Sequence, residues 1–101
     1  MTTIRFRDEN IHLNFGRYKD SNLIALQAVD DDNFPYMVIS VNIPFLTDKK
    51  NLMVVKNWSE NEGIEQVLLD NKIITNKYDT LNSGYVQANV YEVNQEFLGD
   101  K

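Results

Sequence analysis

Asn22-Leu23-Ile24-Ala25-Leu26-Gln27-Ala28-Val29-Asp30-Asp31-Asp32-Asn33-Phe34-Pro35-Tyr36-Met37-Val38-Ile39-Ser40-Val41-Asn42-Ile43-Pro44 is the stretch whose reading decides the fold. It reads as two consecutive strands, residues 23–29 and 36–43, joined by an acidic turn over 30–35. In the second strand Met37, Ile39, Val41 and Ile43 fall on one side, and Tyr36, Val38, Ser40 and Asn42 on the other. Successive side chains of a strand leave opposite faces of the pleat, so a period of two marks a half-buried antiparallel strand. The core is therefore expected to be built on a sheet.

Upstream, Ile4 and Phe6 alternate with Arg5 and Arg7 in a short strand, and Asp8-Glu9-Asn10 reads as a turn. Ile11, Leu13 and Phe15 then alternate with His12 and Asn14 in a second strand running to about residue 18. The polar cluster 19–22 is a turn whose Asp and Asn tolerate left-handed backbone angles. Downstream, Pro44 ends its strand because proline cannot donate to a ladder. Residues 47–50 read as a loop and 52–56 as a fifth short strand.

One helix is signalled over residues 60–71. Ser59 with Glu62 has the spacing of a capping box, Trp58 precedes it, and Ile64, Val67 and Leu68 recur at helical spacing. Gly63 inside that helix costs roughly 1 kcal/mol relative to alanine. After Ile73 and Ile74, residues 76–84 are rich in turn formers and read as a loop. Residues 85–93 alternate again, with Val86, Ala88 and Val90 inward and Tyr85, Gln87, Asn89 and Tyr91 outward. The polar tail from about residue 95 is expected to fray. The expectation is one α+β domain over residues 1–101: an antiparallel sheet of about five to six strands with one helix packed on it.

At 101 residues the chain supports one core rather than two, and hydrophobic and aromatic contents of 43% and 11% are ordinary for a folded domain. No apolar run approaches the ~18 residues of a membrane span. The N-terminal residues lack the apolar core of a signal peptide. Cysteine is absent, which excludes disulfides, thiolate metal sites and cysteine nucleophiles, and a cytoplasmic location is the simplest expectation. Fifteen acidic residues against ten basic give a net charge of −5. Arg5, Arg7, Arg17 and Lys19 against Asp8 and Glu9 leave residues 1–19 at +2, so the remainder carries −7. Direct nucleic-acid binding is disfavoured, since affinity for phosphate backbones needs clustered Lys and Arg.

His12, the single histidine, stands on the outer face of its strand, and no nucleophile or carboxylate is paired with it by spacing. Asp30, Asp31 and Asp32 lack the alternation and the glycine of a calcium loop, so they read as a solvated hairpin turn. Glu60, Glu62, Glu65 and Asp70 form an acidic helix with no Lys or Arg between Asn57 and Asn71. First-turn capping explains most of them. Tyr18, Tyr36, Tyr85, Tyr91 and Trp58 fall on outer faces or beside loops, where aromatics anchor interfaces. Four scattered glycines build no phosphate loop, and no cofactor or metal is expected.

The run Val55-Lys56-Asn57-Trp58-Ser59-Glu60-Asn61-Glu62-Gly63, with Leu68-Leu69 and Ile73-Ile74, resembles a family of small proteins of unknown function. That family is associated with phages, plasmids and conjugative elements of Firmicutes and Bacteroidetes. The similarity extends to Ile24-Ala25-Leu26-Gln27 with Val29, to Val41-Asn42 with Pro44, and to Gly84-Tyr85-Val86 with Ala88 and Val90. It covers nearly the whole chain and brings no catalytic residues. What it implies is an accessory protein of a mobile element, of the kind that binds and blocks a host defence protein.

The expected function is thus a non-enzymatic protein-binding module, such as an inhibitor of a host defence nuclease like a CRISPR effector. The expected partner is a host protein with a basic surface. The expected docking residues are Trp58, Glu60, Glu62 and Glu65 together with Asp30, Asp31 and Asp32. The alternatives are a structural homo-oligomer, formed through an exposed sheet edge or the tyrosine face, and a small hydrolase whose carboxylates at 30–32 and 60–65 converge on a cleft.

Overall fold

The computed structural model describes residues 2–43, 51–58, 61–83 and 86–98. Its first hairpin joins β1 (Thr2–Phe6) to β2 (Glu9–Arg17) through a two-residue loop, Arg7-Asp8. Both loop residues have positive φ, 52° and 65°, which is the backbone whose twist matches that of the flanking strands. The turn expected over residues 8–10 is therefore tighter, and Glu9 and Asn10 already pair with Phe6 and Arg5.

β2 pairs with β3 (Ile24–Val29), and β3 with β4 (Pro35–Val38), giving an antiparallel four-stranded meander in the order β1-β2-β3-β4. The acidic turn forms where expected. The Asp30 carboxylate accepts from the backbone N–H groups of Asp32 (2.9 Å) and Phe34 (3.0 Å), and Asn33 takes the left-handed angle at φ 68°. Asp30 is thus spent on shaping its own turn.

The strand expected over residues 36–43 is two strands in two sheets. Ile39 N–H donates to the carbonyl of Leu26 in the first sheet, while the Ile39 carbonyl accepts from Lys56 N–H beside the second. Beyond this crossing, β5 (Ser40–Val41) pairs with β6 (Leu52–Val55). The Leu26 N–H that the departing strand leaves behind is taken by the Ser40 hydroxyl at 2.9 Å, so no ladder donor is orphaned. This explains why Ser40 is buried despite lying on the side expected to face solvent.

The second sheet has the order β5-β6-β8-β7, with β7 at Ile74–Ser83 and β8 at Val86–Val93, all antiparallel. β7 overturns the loop expected over residues 76–84. Most of its side chains after Ile74 are exposed and its register shifts twice, so it carries no alternation, and pairing with β8 decides its conformation. The α+β class holds, with eight strands in two sheets among the described residues where one sheet of five or six was expected.

β6 joins two apolar clusters. Met53 and Val55 enter a main core between the sheets, with Ile4, Phe6, Ile11, Leu13, Leu26 and Met37 from the first sheet and Tyr91 and Val93 from the second. Leu52 and Val54 enter a smaller cluster with Leu23, Ala88 and Val90, rimmed by Tyr18, Val41, Ile43, Trp58 and Leu81. All four β6 side chains are buried.

The helix, α1, spans Ile64–Asp70, shorter than the expected 60–71. Ile64 and Leu68, one turn apart, are completely buried in the main core as the periodicity required. Its N-cap is Gly63 at φ 96°, a left-handed angle that glycine adopts without strain. Phe6 is 3.8 Å from where a Cβ on Gly63 would stand, so conformation rather than space selects glycine. Two backbone donors at the helix start are satisfied by Asn57, whose Oδ1 accepts from Gly63 N–H (3.2 Å) and Glu65 N–H (2.9 Å). Glu62 falls in the turn before the helix, and Ser59, its expected capping partner, lies outside the described residues, as do Pro44 and the 47–50 loop. After β8, Gln95–Phe97 form one 3-10 turn capped by Asn94, and Phe97 and Leu98 pack against the main core. Among the described residues no helix is long and apolar enough to cross a membrane.

Candidate functional site

The tip of the β1–β2 hairpin gathers acidic groups from distant parts of the chain. Asp8 and Glu9 at the tip, and Asp30, Asp31 and Asp32 in the β3–β4 turn, line one open cleft of about 400 Å³ with Arg5 and Asn10. Adjacency in the meander is the cause. β1–β2 and β3–β4 turns leave the same end of the first sheet, so two acidic turns about twenty residues apart in sequence become neighbours. Arg5 donates to the Asn10 side chain and to the Asp8 carbonyl, both at 3.2 Å, and so spans the cleft wall.

Arg7 extends this end toward the helix. Its guanidinium lies 4.8 Å from the centre of the Phe6 ring and donates to the Glu62 carbonyl at 2.7 Å. Glu62, exposed, is therefore tied through its backbone carbonyl to the hairpin tip. Of the expected docking residues, Asp30, Asp31, Asp32 and Glu62 come to one end of the molecule.

Glu65 and Trp58 do not join them as free groups. One Glu65 carboxylate oxygen accepts from Tyr91 Oη at 2.5 Å and Asn89 Nδ2 at 2.8 Å, and Asn89 Oδ1 accepts in turn from Thr80 Oγ1 at 2.9 Å. This network pins α1 to β8 and β7. Tyr91, expected on an outer face, is buried; burial, then the hydrogen bond to Glu65 and its negative charge, push its hydroxyl up to about 12 from the ordinary 10.0. Trp58 is half-buried at the rim of the smaller cluster. Glu60 lies outside the described residues, as does Tyr85. Tyr18 is half-buried with its hydroxyl 2.9 Å from Ser40 Oγ, while Tyr36 remains exposed.

His12 acquires the partners that its sequence context withheld. Its Nε2 is 2.8 Å from Asp31 Oδ1 and its Nδ1 is 2.8 Å from Thr3 Oγ1. Register explains Thr3. The two-residue loop makes Phe6–Glu9 a hydrogen-bonded pair, so Thr3–His12, three pairs on, is a non-hydrogen-bonded one, where facing side chains stand closest. A carboxylate only accepts, so Nε2 is the donor to Asp31, and the Thr3 hydroxyl meets the other ring nitrogen, Nδ1. The pair His12–Asp31 is a surface contact, with Asp31 77% exposed, and it ties the first hairpin to the aspartate turn. No sequence spacing announces this chain, because its three members become neighbours only through the β1–β2–β3 register.

Among the described residues no group of three or more His, Asp or Glu side chains has the arrangement of a metal site. Comparison with known proteins returns nothing: no family model matches the chain, and no curated protein or solved structure matches it.

Proposed function

We propose that this protein is a non-enzymatic binding module that docks a basic protein surface through the acidic end of its first sheet. The observation that carries the reading is the convergence of Asp8, Glu9, Asp30, Asp31 and Asp32 on one open cleft, with the Glu62 backbone tied to Arg7 at the hairpin tip. Carboxylates concentrated at one end focus a negative potential that steers cationic partners, an effect that falls away beyond the ~8 Å screening length of physiological buffer. Placed beside the sequence's likeness to proteins of mobile elements, this favours a host protein as partner, a defence nuclease such as a CRISPR effector being the leading type.

The Thr3–His12–Asp31 chain is read as a tie rather than a catalytic relay. An acyl-transfer step builds negative charge on the substrate oxygen and needs donors aimed at it. The cleft at Asp31 is instead lined by five carboxylates, which disfavour that charge. Neutralising Asp31, Asp32 and Glu62 together to Asn, Asn and Gln tests the docking reading. Capture of a host-lysate partner is expected to weaken sharply and to lose most of its salt dependence, with the circular dichroism spectrum unchanged. Undiminished capture by the neutralised protein would place the docking surface elsewhere.

A further inference from the structure

Glycine inside a strand needs a reason, because it adds backbone entropy to the unfolded chain and gives the sheet no side chain to pack. Gly16 stands inside β2 without any of the usual ones. Its φ is not left-handed; among the described glycines only Gly63 has a positive φ. The β2–β3 register runs from His12–Val29 to Arg17–Ile24 with no shift, so Gly16 marks no bulge. Nothing lies within 4 Å of where its Cβ would stand, so no neighbour excludes a side chain. What remains is a place kept open for the close approach of something outside the fold.

The open space is a cleft of about 330 Å³ on the solvent face of the first sheet. Gly16 and its facing partner Ala25 make the floor. One row along, Asn14 faces Gln27 across the same two strands, and Val38 faces Gln27 from β4. At the other end Tyr18 reaches to Ser40, its Oη 2.9 Å from Ser40 Oγ, and stands as an aromatic wall. The change of sheet at Ile39 leaves this corner bare. β4 pairs with β3 only as far as Val38–Gln27, so no β4 residue faces Ala25.

The chemistry of the lining selects a ligand. None of the lining residues is charged, in a chain of which 25% is charged. Among the described residues neither the Asn14 nor the Gln27 amide is engaged by another group. A carboxamide sets a donor beside an acceptor in one plane, so its complement is a flat edge with the same pair reversed. Nucleobases carry such edges, and Asn or Gln reads adenine in this bidentate way. A floor without side chains and a tyrosine wall suit a flat ring. With no Lys or Arg in the lining, a phosphate would find no partner there. The volume stands at the lower end of the ~300–1,000 Å³ of small-molecule sites, which suits a base or nucleoside.

We propose that this cleft binds a neutral adenine-type base or its nucleoside, the ring flat over Gly16 and Ala25 beside Tyr18 and its hydrogen-bonding edge held by Asn14 and Gln27.

Proton–nitrogen NMR during titration with adenosine tests the proposal. Saturable shifts are expected at the Gly16 amide and at the side-chain NH2 groups of Asn14 and Gln27. Gln27→Leu is expected to weaken binding severalfold. Gly16→Val fills the cleft with a side chain that suits a strand. It is expected to abolish saturation while the thermal midpoint stays level or rises. Adenosine monophosphate and a short oligoadenylate are expected to bind no more tightly than adenosine. Absence of saturation with adenosine overturns the proposal, as do equal affinity for methyl glucoside and binding that Gly16→Val leaves unchanged. A lowered midpoint for Gly16→Val assigns the glycine to the fold and overturns it too. Tighter binding of oligoadenylate would make the face a polynucleotide surface and overturn the neutral site. No residue of this cleft lines the acidic docking end, so failure here leaves that reading standing.

Discussion

The two sheets of this protein solve opposite problems. The first sheet buries one face and gives the other to solvent, so Ile11, Leu13, Leu26 and Met37 point inward while His12, Asn14, Gln27 and Val38 stay accessible. The second holds β6 with every side chain buried and β7 with most of its described side chains exposed after Ile74. Stability is concentrated where a strand has two buried faces, and surface chemistry where it has one. Val54 and Val38, the same residue in strands of the two sheets, are 0% and 48% exposed.

The sharpest test of that contrast is one substitution made twice. Val54→Asp places a carboxylate among Leu23, Leu52, Ala88 and Val90 with nothing to pair it. The cost of several kcal/mol is comparable to the whole stability of a small domain, so the expected outcome is loss of cooperative unfolding. Val38→Asp is expected to change stability by under about 0.5 kcal/mol in denaturant titration. If both variants fold equally well, the smaller cluster is not a core.

Next in size comes the helix. Leu68→Ala opens a cavity in the main core and is expected to cost about 2–5 kcal/mol. Asn57→Ala removes the acceptor for Gly63 and Glu65 N–H groups and is expected to cost about 1–2 kcal/mol. Substituting Ser59 alone, the residue its spacing marks as the cap, is then expected to matter less than substituting Asn57. The reverse order would restore the longer helix.

What could be read in advance follows the same division. The first sheet was legible because a single buried face writes itself as alternation, down to the hairpin at 30–35. β6 was recognisable only as a short apolar run, since Leu52, Met53, Val54 and Val55 carry no period when both faces are buried. β7 was invisible: its Asn, Asp, Thr and Ser are turn formers by composition, and pairing with β8 overrides that preference. Strand 36–43 kept its period across Ile39, so the change of sheet was concealed, because a crossing alters the partner and not the alternation. At the candidate site the acidic residues were visible singly. Their convergence, and the partners of His12, depend on the register of β1 with β2 and on which turns share an end of the sheet. Asn57 as the cap was hidden because it acts from six residues before Gly63.

A smaller effect separates the sheets by pH. Tyr91 keeps its proton to about 12 in the folded protein against 10.0 otherwise, so the folded state binds more protons across that interval. Its contribution is complete below pH 10 and is lost as pH rises toward 12. Thermal unfolding between pH 9 and 12 is expected to fall more steeply for the wild type than for Tyr91→Phe, the other tyrosines being common to both. Parallel curves would mean that Tyr91 is not held by Glu65.

The smallest expected change in stability, and the most informative for function, compares two acids. Glu65→Gln weakens the bonds from Tyr91 and Asn89, so a loss of about 1–2 kcal/mol is expected, with no change in affinity for a lysine-rich peptide. Asp31→Asn is expected to do the opposite. Its contact with His12 is exposed and screened, so stability should move by less than about 0.5 kcal/mol. The peptide, however, meets a cleft that has lost one of five carboxylates, and its affinity at low salt is expected to drop severalfold, with the difference closing as salt is added. Fluorescence anisotropy with a labelled peptide and denaturant titration of the same two proteins read both quantities. If Glu65→Gln weakens peptide binding and Asp31→Asn does not, the helix rather than the end of the first sheet is where a basic partner lands.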